Sequence, residues 1–222
     1  MKDGITIGQF CASEGVADWR VLSDGTYARY LTGSIARGAE FAARIALLPG
    51  FEGHHAAVDL RPDAATVRLI SAADDWYGMS VRDVELARGI SAVARELGLA
   101  ADPAALQTLL VIPGALSVPA VFPFWRAVLG YVPRADSPAQ DLVDPSGLGA
   151  SFWLEHMREP RGDGGGAIHV AVWVPREEAE GRVAAALAAG GRMVRDDFAP
   201  SWWTLADAAG NEADIATTAG RD

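Results

Sequence analysis

The chain has 222 residues, half of them hydrophobic, with a mean hydropathy of +0.12, which is enough apolar side chain for ordinary cores. It carries 29 acidic against 19 basic side chains, a net charge of -10. Such a surface repels phosphate backbones, and no Lys/Arg cluster overcomes this locally, so nucleic acid is not an expected partner. The N-terminal MKDGITIGQF has no signal-peptide pattern and no stretch approaches a membrane-spanning length, so a cytoplasmic protein with no membrane partner is expected. The single cysteine, Cys11, cannot form an internal disulfide and is read as a small buried apolar group.

In chain order, Gly25 to Leu31 has the β-branched and aromatic content of a strand, and Ser34 opens a helix. The apolar face of that helix is read as Ile35, Ala39, Ala42, Ile45 and Leu48, with Pro49 and Gly50 as its stop. The adjacent pair His54 and His55 follows. Two short extended runs, Ala56 to Leu60 and Ala65 to Ser71, read as a hairpin turned by Arg61-Pro62-Asp63. A second amphipathic helix follows Gly78-Met79-Ser80, with Val84, Leu86, Ala87, Ile90, Val93, Ala94 and Leu97 on one side. Ser80 with Asp83 three positions on has the spacing of a capping box. Strand, helix, hairpin and helix make an α+β layer, whose uncovered sheet face is an expected site of self-association as a homodimer.

Each imidazole of the His54-His55 pair changes charge near neutral pH and can give or take a proton. Two at the mouth of one pocket could run an acid/base elimination, which requires both rings to project into a shared hollow. The alternative is a partly exposed turn that happens to hold two histidines.

Tyr27 to Leu97 resembles the pterin-4a-carbinolamine dehydratases. The likeness is carried by Phe41, the His54-His55 pair, Val58-Asp59-Leu60-Arg61, Thr66-Val67-Arg68-Leu69, and Gly78-Met79-Ser80-Val81-Arg82-Asp83 leading into Val84-Glu85-Leu86-Ala87. The resemblance implies hydro-lyase chemistry on a tetrahydropterin bearing a C4a hydroxyl, with His54, His55 and Asp83 as catalytic residues and Arg82 and Arg61 in contact with substrate. By spacing from His54, the family's third histidine falls at Ala72, its proline at Ala56 and its acidic residue at Gly53. Those departures bear on catalysis more than on fold.

Leu99 to Gln107 reads as a linker around Asp102-Pro103, which divides the chain into domains at 1-101 and 102-222. Beyond it, Leu109 to Ile112 is a short strand, Ala120 to Leu129 a helix ending at Gly130, and Gly149 to His156 a strand. The pattern then repeats, with a strand at Ile168 to Val174, a helix at Glu177 to Ala189, and strands at Trp202 to Ala206 and Glu212 to Thr217 around Gly210-Asn211.

Paired βαβββ modules of this kind, with Phe124 to Gly130, Ile168 to Val172 and Gly210-Asn211-Glu212, resemble the glyoxalase or vicinal oxygen chelate superfamily. The resemblance implies His169, Glu212 and Glu155 as ligands of a divalent metal. It leaves only Gln107 or Thr108 for a fourth position, and no cofactor is certain. The alternative is a metal-free pocket in which His169 bonds Glu212. Trp153, Trp173, Trp202 and Trp203 would line or pack such a cup, which suits a planar or apolar small molecule. Gly162 to Gly166 reads as flexible linker, Arg161-Gly162-Asp163 as a chance match, and Asp74-Asp75 and Asp196-Asp197 as solvated turns. Three functions follow: a pterin dehydratase fused to a small-molecule-binding module, metal-assisted lyase, isomerase or dioxygenase chemistry in the C-terminal cup, or a dimeric binding module without chemistry.

Overall fold

The computed structural model describes residues 3–22, 25–73, 76–106, 110–159, 169–173 and 176–216. They form two compact units, Met1–Leu109 and Leu110–Asp222.

In the first unit the elements are β1 (Gly4–Ile5), α1 (Ile7–Cys11), β2 (Arg20–Leu22), β3 (Gly25–Leu31), α2 (Ile35–Ile45), β4 (Ala57–Leu60), β5 (Ala64–Leu69), β6 (Ser71–Ala73), β7 (Trp76–Ser80), α3 (Val81–Glu96) and β8 (Ala100–Ala101). The main sheet is antiparallel in the order β2-β3-β5-β4, and β8 pairs with β3; a smaller sheet runs β1-β7-β6. The segment read as a linker therefore begins as part of this sheet. Ala100 and Ala101 pair with Leu31 and Tyr30, and Asp102 takes the guanidinium of Arg29.

Helix α2 starts where Ser34 accepts a hydrogen bond from the Arg37 amide, as its sequence predicts. Its buried face is rotated from the one read in the sequence. Gly38, Phe41 and Ile45 face the core, whereas Ile35 is exposed. The bulk of Phe41, fully buried with its ring edge-on to Tyr30, sets that orientation. Helix α3 buries the predicted Val84, Leu86, Ala87, Ile90, Val93 and Ala94 against the same core. Buried Ser91 on α3 meets both the Tyr30 hydroxyl at 3.0 Å and the Trp19 indole N–H at 3.1 Å, so the helix is pinned to β3 by polar as well as apolar contact. Cys11 is exposed, because α1 turns only Phe10 inward.

The second unit comprises β9 (Leu110–Val111), β10 (Gly114–Ala115), α4 (Val118–Leu129), β11 (Val132–Pro133), β12 (Asp141–Val143), β13 (Ser151–Trp153), β14 (Glu155–His156), β15 (His169–Trp173), α5 (Arg176–Ala188), β16 (Arg192–Arg195), β17 (Trp202–Ala206) and β18 (Glu212–Ala216). It is built twice from one plan. One sheet runs β11-β12-β13-β9 and the other β16-β17-β18-β15, each with its first and last strands paired in parallel at one edge. Both helices pack on a shared core of Phe124, Trp125, Phe152, Leu154, Leu205 and Ile215.

Each half also uses the same turn to launch its last strand. In Asp144-Pro145-Ser146-Gly147 and Asp207-Ala208-Ala209-Gly210 the aspartate caps backbone amides, and the glycine takes φ of 72° and 88°, where a side chain would be strained. The loop at 162–166 and the Asp74-Asp75 pair lie outside the described residues, as do Gln107 and Thr108. Asp196 and Asp197 are exposed. Among the described residues, no helix is long and apolar enough to cross a membrane.

Candidate functional site

The first unit concentrates its polar chemistry where the turn after α2 meets the start of α3. The His54 side chain is 1 % exposed and Asp83 is 0 % exposed, with Nε2 of the ring 3.0 Å from Asp83 Oδ1. The other carboxylate oxygen, Oδ2, accepts three hydrogen bonds: from Ser71 Oγ at 2.7 Å, from the Ser80 amide at 2.7 Å and from Ser80 Oγ at 2.8 Å. Ser80 and Asp83 thereby close the capping box that the sequence spacing predicts for α3. That box explains Oδ2. It does not call for the imidazole on Oδ1 or for Ser71, which arrives from a separate strand.

Burial by itself would raise the Asp83 pKa, but the bonds from His54, Ser71 and Ser80 together outweigh it and hold the carboxyl below its ordinary value. An ionised carboxylate only accepts, so His54 Nε2 must carry the hydrogen that joins them. In the neutral ring the lone pair then sits on Nδ1. This second nitrogen is buried and has no hydrogen-bond partner among the described residues. A buried nitrogen left unpaired costs about 1–3 kcal/mol, and Thr32 Oγ1 in the same unit is left in the same position.

The other sequence-selected residues of this unit disperse. His55 is exposed, so the two rings do not converge as the shared-hollow expectation requires; adjacent residues on a chain entering a strand project to opposite sides. Arg82 is exposed and reaches the Gly50 carbonyl at 3.5 Å. Arg61, exposed on the hairpin turn, is held by Asp59 at 2.6 Å and 2.9 Å. Ala72 lies on β6 next to Ser71. Sequence reading missed Ser71 entirely, since a serine at the head of a three-residue strand gives no local signal.

In the second unit, β15 and β18 run parallel with His169 directly opposite Glu212 in register. Two residues along β18, Asp214 accepts a hydrogen bond from Thr204 Oγ1 at 2.6 Å, so a further carboxylate shares this strand with Glu212. The alternation of strand side chains, with Ala213 and Ile215 fully buried in the helix-side core, puts Glu212 and Asp214 together on the opposite sheet face. Glu155 is exposed on β14, which pairs with β10 outside both four-stranded sheets. Among the described side chains, no group of three or more His, Cys, Asp or Glu is gathered closely enough to hold a metal ion. His169 is placed opposite Glu212 by backbone register, and its side chain lies outside the described residues.

The turn that sets Glu212 in place is anchored by Asp207. This buried carboxylate accepts hydrogen bonds from the Trp125 indole at 3.0 Å, the Asn211 side chain at 2.9 Å, and the Ala209 and Asn211 amides at 2.9 Å and 2.8 Å. Asn211 in turn donates to the Gly114 carbonyl at 3.2 Å. The predicted aromatic residues divide their roles. Trp203 packs on the core, while Trp202 stacks on half-exposed Phe198 with centroids 4.2 Å apart.

Two parallel-edged βαβββ modules in tandem are consistent with a glyoxalase-like fold, and residues 111–216 match the family model described as a glyoxalase-like domain. The matched stretch lies wholly within the second unit. Solved structures similar to the chain include a glyoxalase-related enzyme from Fulvimarina pelagi, 22 % identical over 50 % of this chain and 87 % of that one, with a TM-score of 0.38. A protein from Agrobacterium tumefaciens determined by NMR is 24 % identical over 52 % of this chain and 99 % of its own, with a TM-score of 0.40. A lactoylglutathione lyase from the same organism is 17 % identical over 52 % and 96 %, with a TM-score of 0.36. No curated protein matches the chain.

Proposed function

We propose that the chain joins a pterin-carbinolamine dehydratase unit to a small-molecule-binding glyoxalase-like domain, and that His54 is the principal acid/base group of the first. The observation carrying this reading is the buried His54–Asp83 pair, whose carboxylate fixes one ring nitrogen as donor while the other has no partner among the described residues. Dehydration removes a proton from the ring N–H of the substrate and breaks the C4a–O bond. The freed nitrogen pair forms a C=N bond to C4a, and the departing oxygen takes up a proton to leave as water. In this proposal His54 Nδ1 receives the ring proton, solvent protonates the leaving hydroxyl, and exposed Arg82 and Arg61 contact the substrate. One such proton-transfer group contributes about 10²- to 10⁴-fold, so slow but real turnover is expected even with alanine at position 72.

A second reading is favoured by the in-register placement of His169 and Glu212: a divalent ion held by these residues, with Glu155 as the further ligand, in a lyase, isomerase or dioxygenase. Such an ion would polarise a substrate oxygen. One experiment separates the two, an elemental analysis of the purified full-length protein beside an assay of carbinolamine dehydration. Dehydration above the spontaneous rate supports the first reading. Stoichiometric metal without dehydration moves the chemistry to the second unit. With neither, a dimeric binding module without chemistry is left.

A further inference from the structure

A carboxylate that both caps a helix and orients an imidazole must divide its two oxygens between these tasks, and the division in Asp83 is uneven. Oδ2 takes three donors, whereas Oδ1 meets only the His54 ring. Two of the three donors to Oδ2 belong to Ser80, the residue that begins the helix, and are what a capping box supplies anywhere. The third comes from Ser71, at the head of β6. Its hydroxyl also stands 2.8 Å from Ser80 Oγ and 3.5 Å from His54 Nε2, so it lies beside both the carboxylate and the ring. Were the Ser71 hydroxyl absent, the carboxylate could rotate toward Ser80, and the ring would lose the partner that selects its tautomer.

We propose that Ser71 is a positioning residue: by donating to Asp83 Oδ2 it reserves Oδ1 for His54 Nε2–H, and so presents Nδ1 as the proton acceptor. This inference rests on the acid/base reading of His54 and names the group that tunes it. Ser71 touches no substrate in this account and acts only through Asp83. The charged and titratable neighbours along the chain, Glu52, His55 and Arg82, are all exposed. Of the residues hydrogen-bonded to Asp83, β6 and β7 contribute only the hydroxyls of Ser71 and Ser80 and one backbone amide, which leaves Asp83 as the charge in direct contact with the ring.

The test uses full-length protein labelled with ¹⁵N-histidine, with the His54 ring signals assigned by comparison with His54→Ala. Wild type should show a single tautomer with the hydrogen on Nε2. In Ser71→Ala the two tautomers should mix, and kcat/KM for dehydration should fall by about tenfold with KM nearly unchanged. Ser71→Thr, which keeps the hydroxyl, should restore both. A purely structural serine would lower the melting temperature and leave the tautomer in place; that result, or a wild-type ring with its hydrogen on Nδ1, overturns the proposal. If wild type does not dehydrate the carbinolamine at all, the dehydratase reading fails, while the ring signals of Ser71→Ala still decide the role of Ser71.

Discussion

Two buried carboxylates, one in each unit, look alike in isolation and differ in what they serve. Asp83 and Asp207 are both sealed from solvent and both accept four hydrogen bonds. The donors to Asp207 are all spent in the brace: an indole N–H, two backbone amides, and the Asn211 side chain, whose second N–H goes to the Gly114 carbonyl. One donor to Asp83 is an imidazole with a second nitrogen that has no partner among the described residues. A buried carboxylate is therefore no sign of chemistry until the far side of its partner is inspected. By that criterion Asp83 is the carboxylate that the proposed acid/base chemistry draws on, whereas Asp207 braces the strand bearing Glu212.

The comparison breaks most easily at Asp207. Asp207→Ala leaves four donors without their acceptor in the core of the second unit. It should destabilise that unit by about 4 kcal/mol, with the thermal transition of the first unit unmoved. Calorimetry on the full chain checks this, and a shift of both transitions would mean that the units do not melt separately. Asp83→Ala should cost less, about 3 kcal/mol for a lost capping box and an unpaired imidazole, but it should also remove dehydration. The outcome that sets the two carboxylates apart is function lost at one and only stability lost at the other.

The depressed pKa of Asp83 sharpens the contrast with acid. Its folded-state value lies below the unfolded one, so its contribution is complete above the ordinary carboxylate range, near pH 4, and fades as pH falls through the folded value. Acid titration of stability in Asp83→Asn should lack this component, and an identical acid dependence in variant and wild type would contradict the assignment. A smaller effect is expected at β6. Ala72→His should speed dehydration severalfold by adding a second general acid, and an unchanged rate would argue that no substrate reaches this strand. Smallest of all in stability is Glu212→Gln, expected to shift melting by less than about 0.5 kcal/mol on its partly exposed sheet face. If an ion is held there, the same change should abolish its binding in a titration with Co²⁺.

Much of the fold was legible in the sequence, for local reasons. Ser34 and Ser80 announce two helix starts, the hairpin turns where Arg61-Pro62-Asp63 predicts, and the buried set of α3 follows its apolar spacing closely. Helix α2 was harder, because Ile35 and Ala39 compete with Phe41 for the inward face on equal periodicity, and only bulk decides. Strands β11, β12 and β16 are two to four residues long, too short to show alternation. Helix α4 begins at Val118, ahead of the stretch read as helical, because Pro119 sits in its first turn, where a missing amide hydrogen costs nothing.

The site was legible only in part. His54 and Asp83 stand out by residue type, but their pairing spans 29 positions, and the Trp125–Asp207 bond spans 82. Nothing local distinguishes His54 from His55, although the turn buries one and exposes the other. Ser71 carries no mark at all, since its importance comes from where the hairpin delivers it.

The measurement that bears most directly on the account is the rate of carbinolamine dehydration by full-length wild type and by His54→Ala at neutral pH. The account predicts turnover above the spontaneous reaction in the first and a loss of about 10²-fold or more in the second. Equal rates in the two proteins would contradict it.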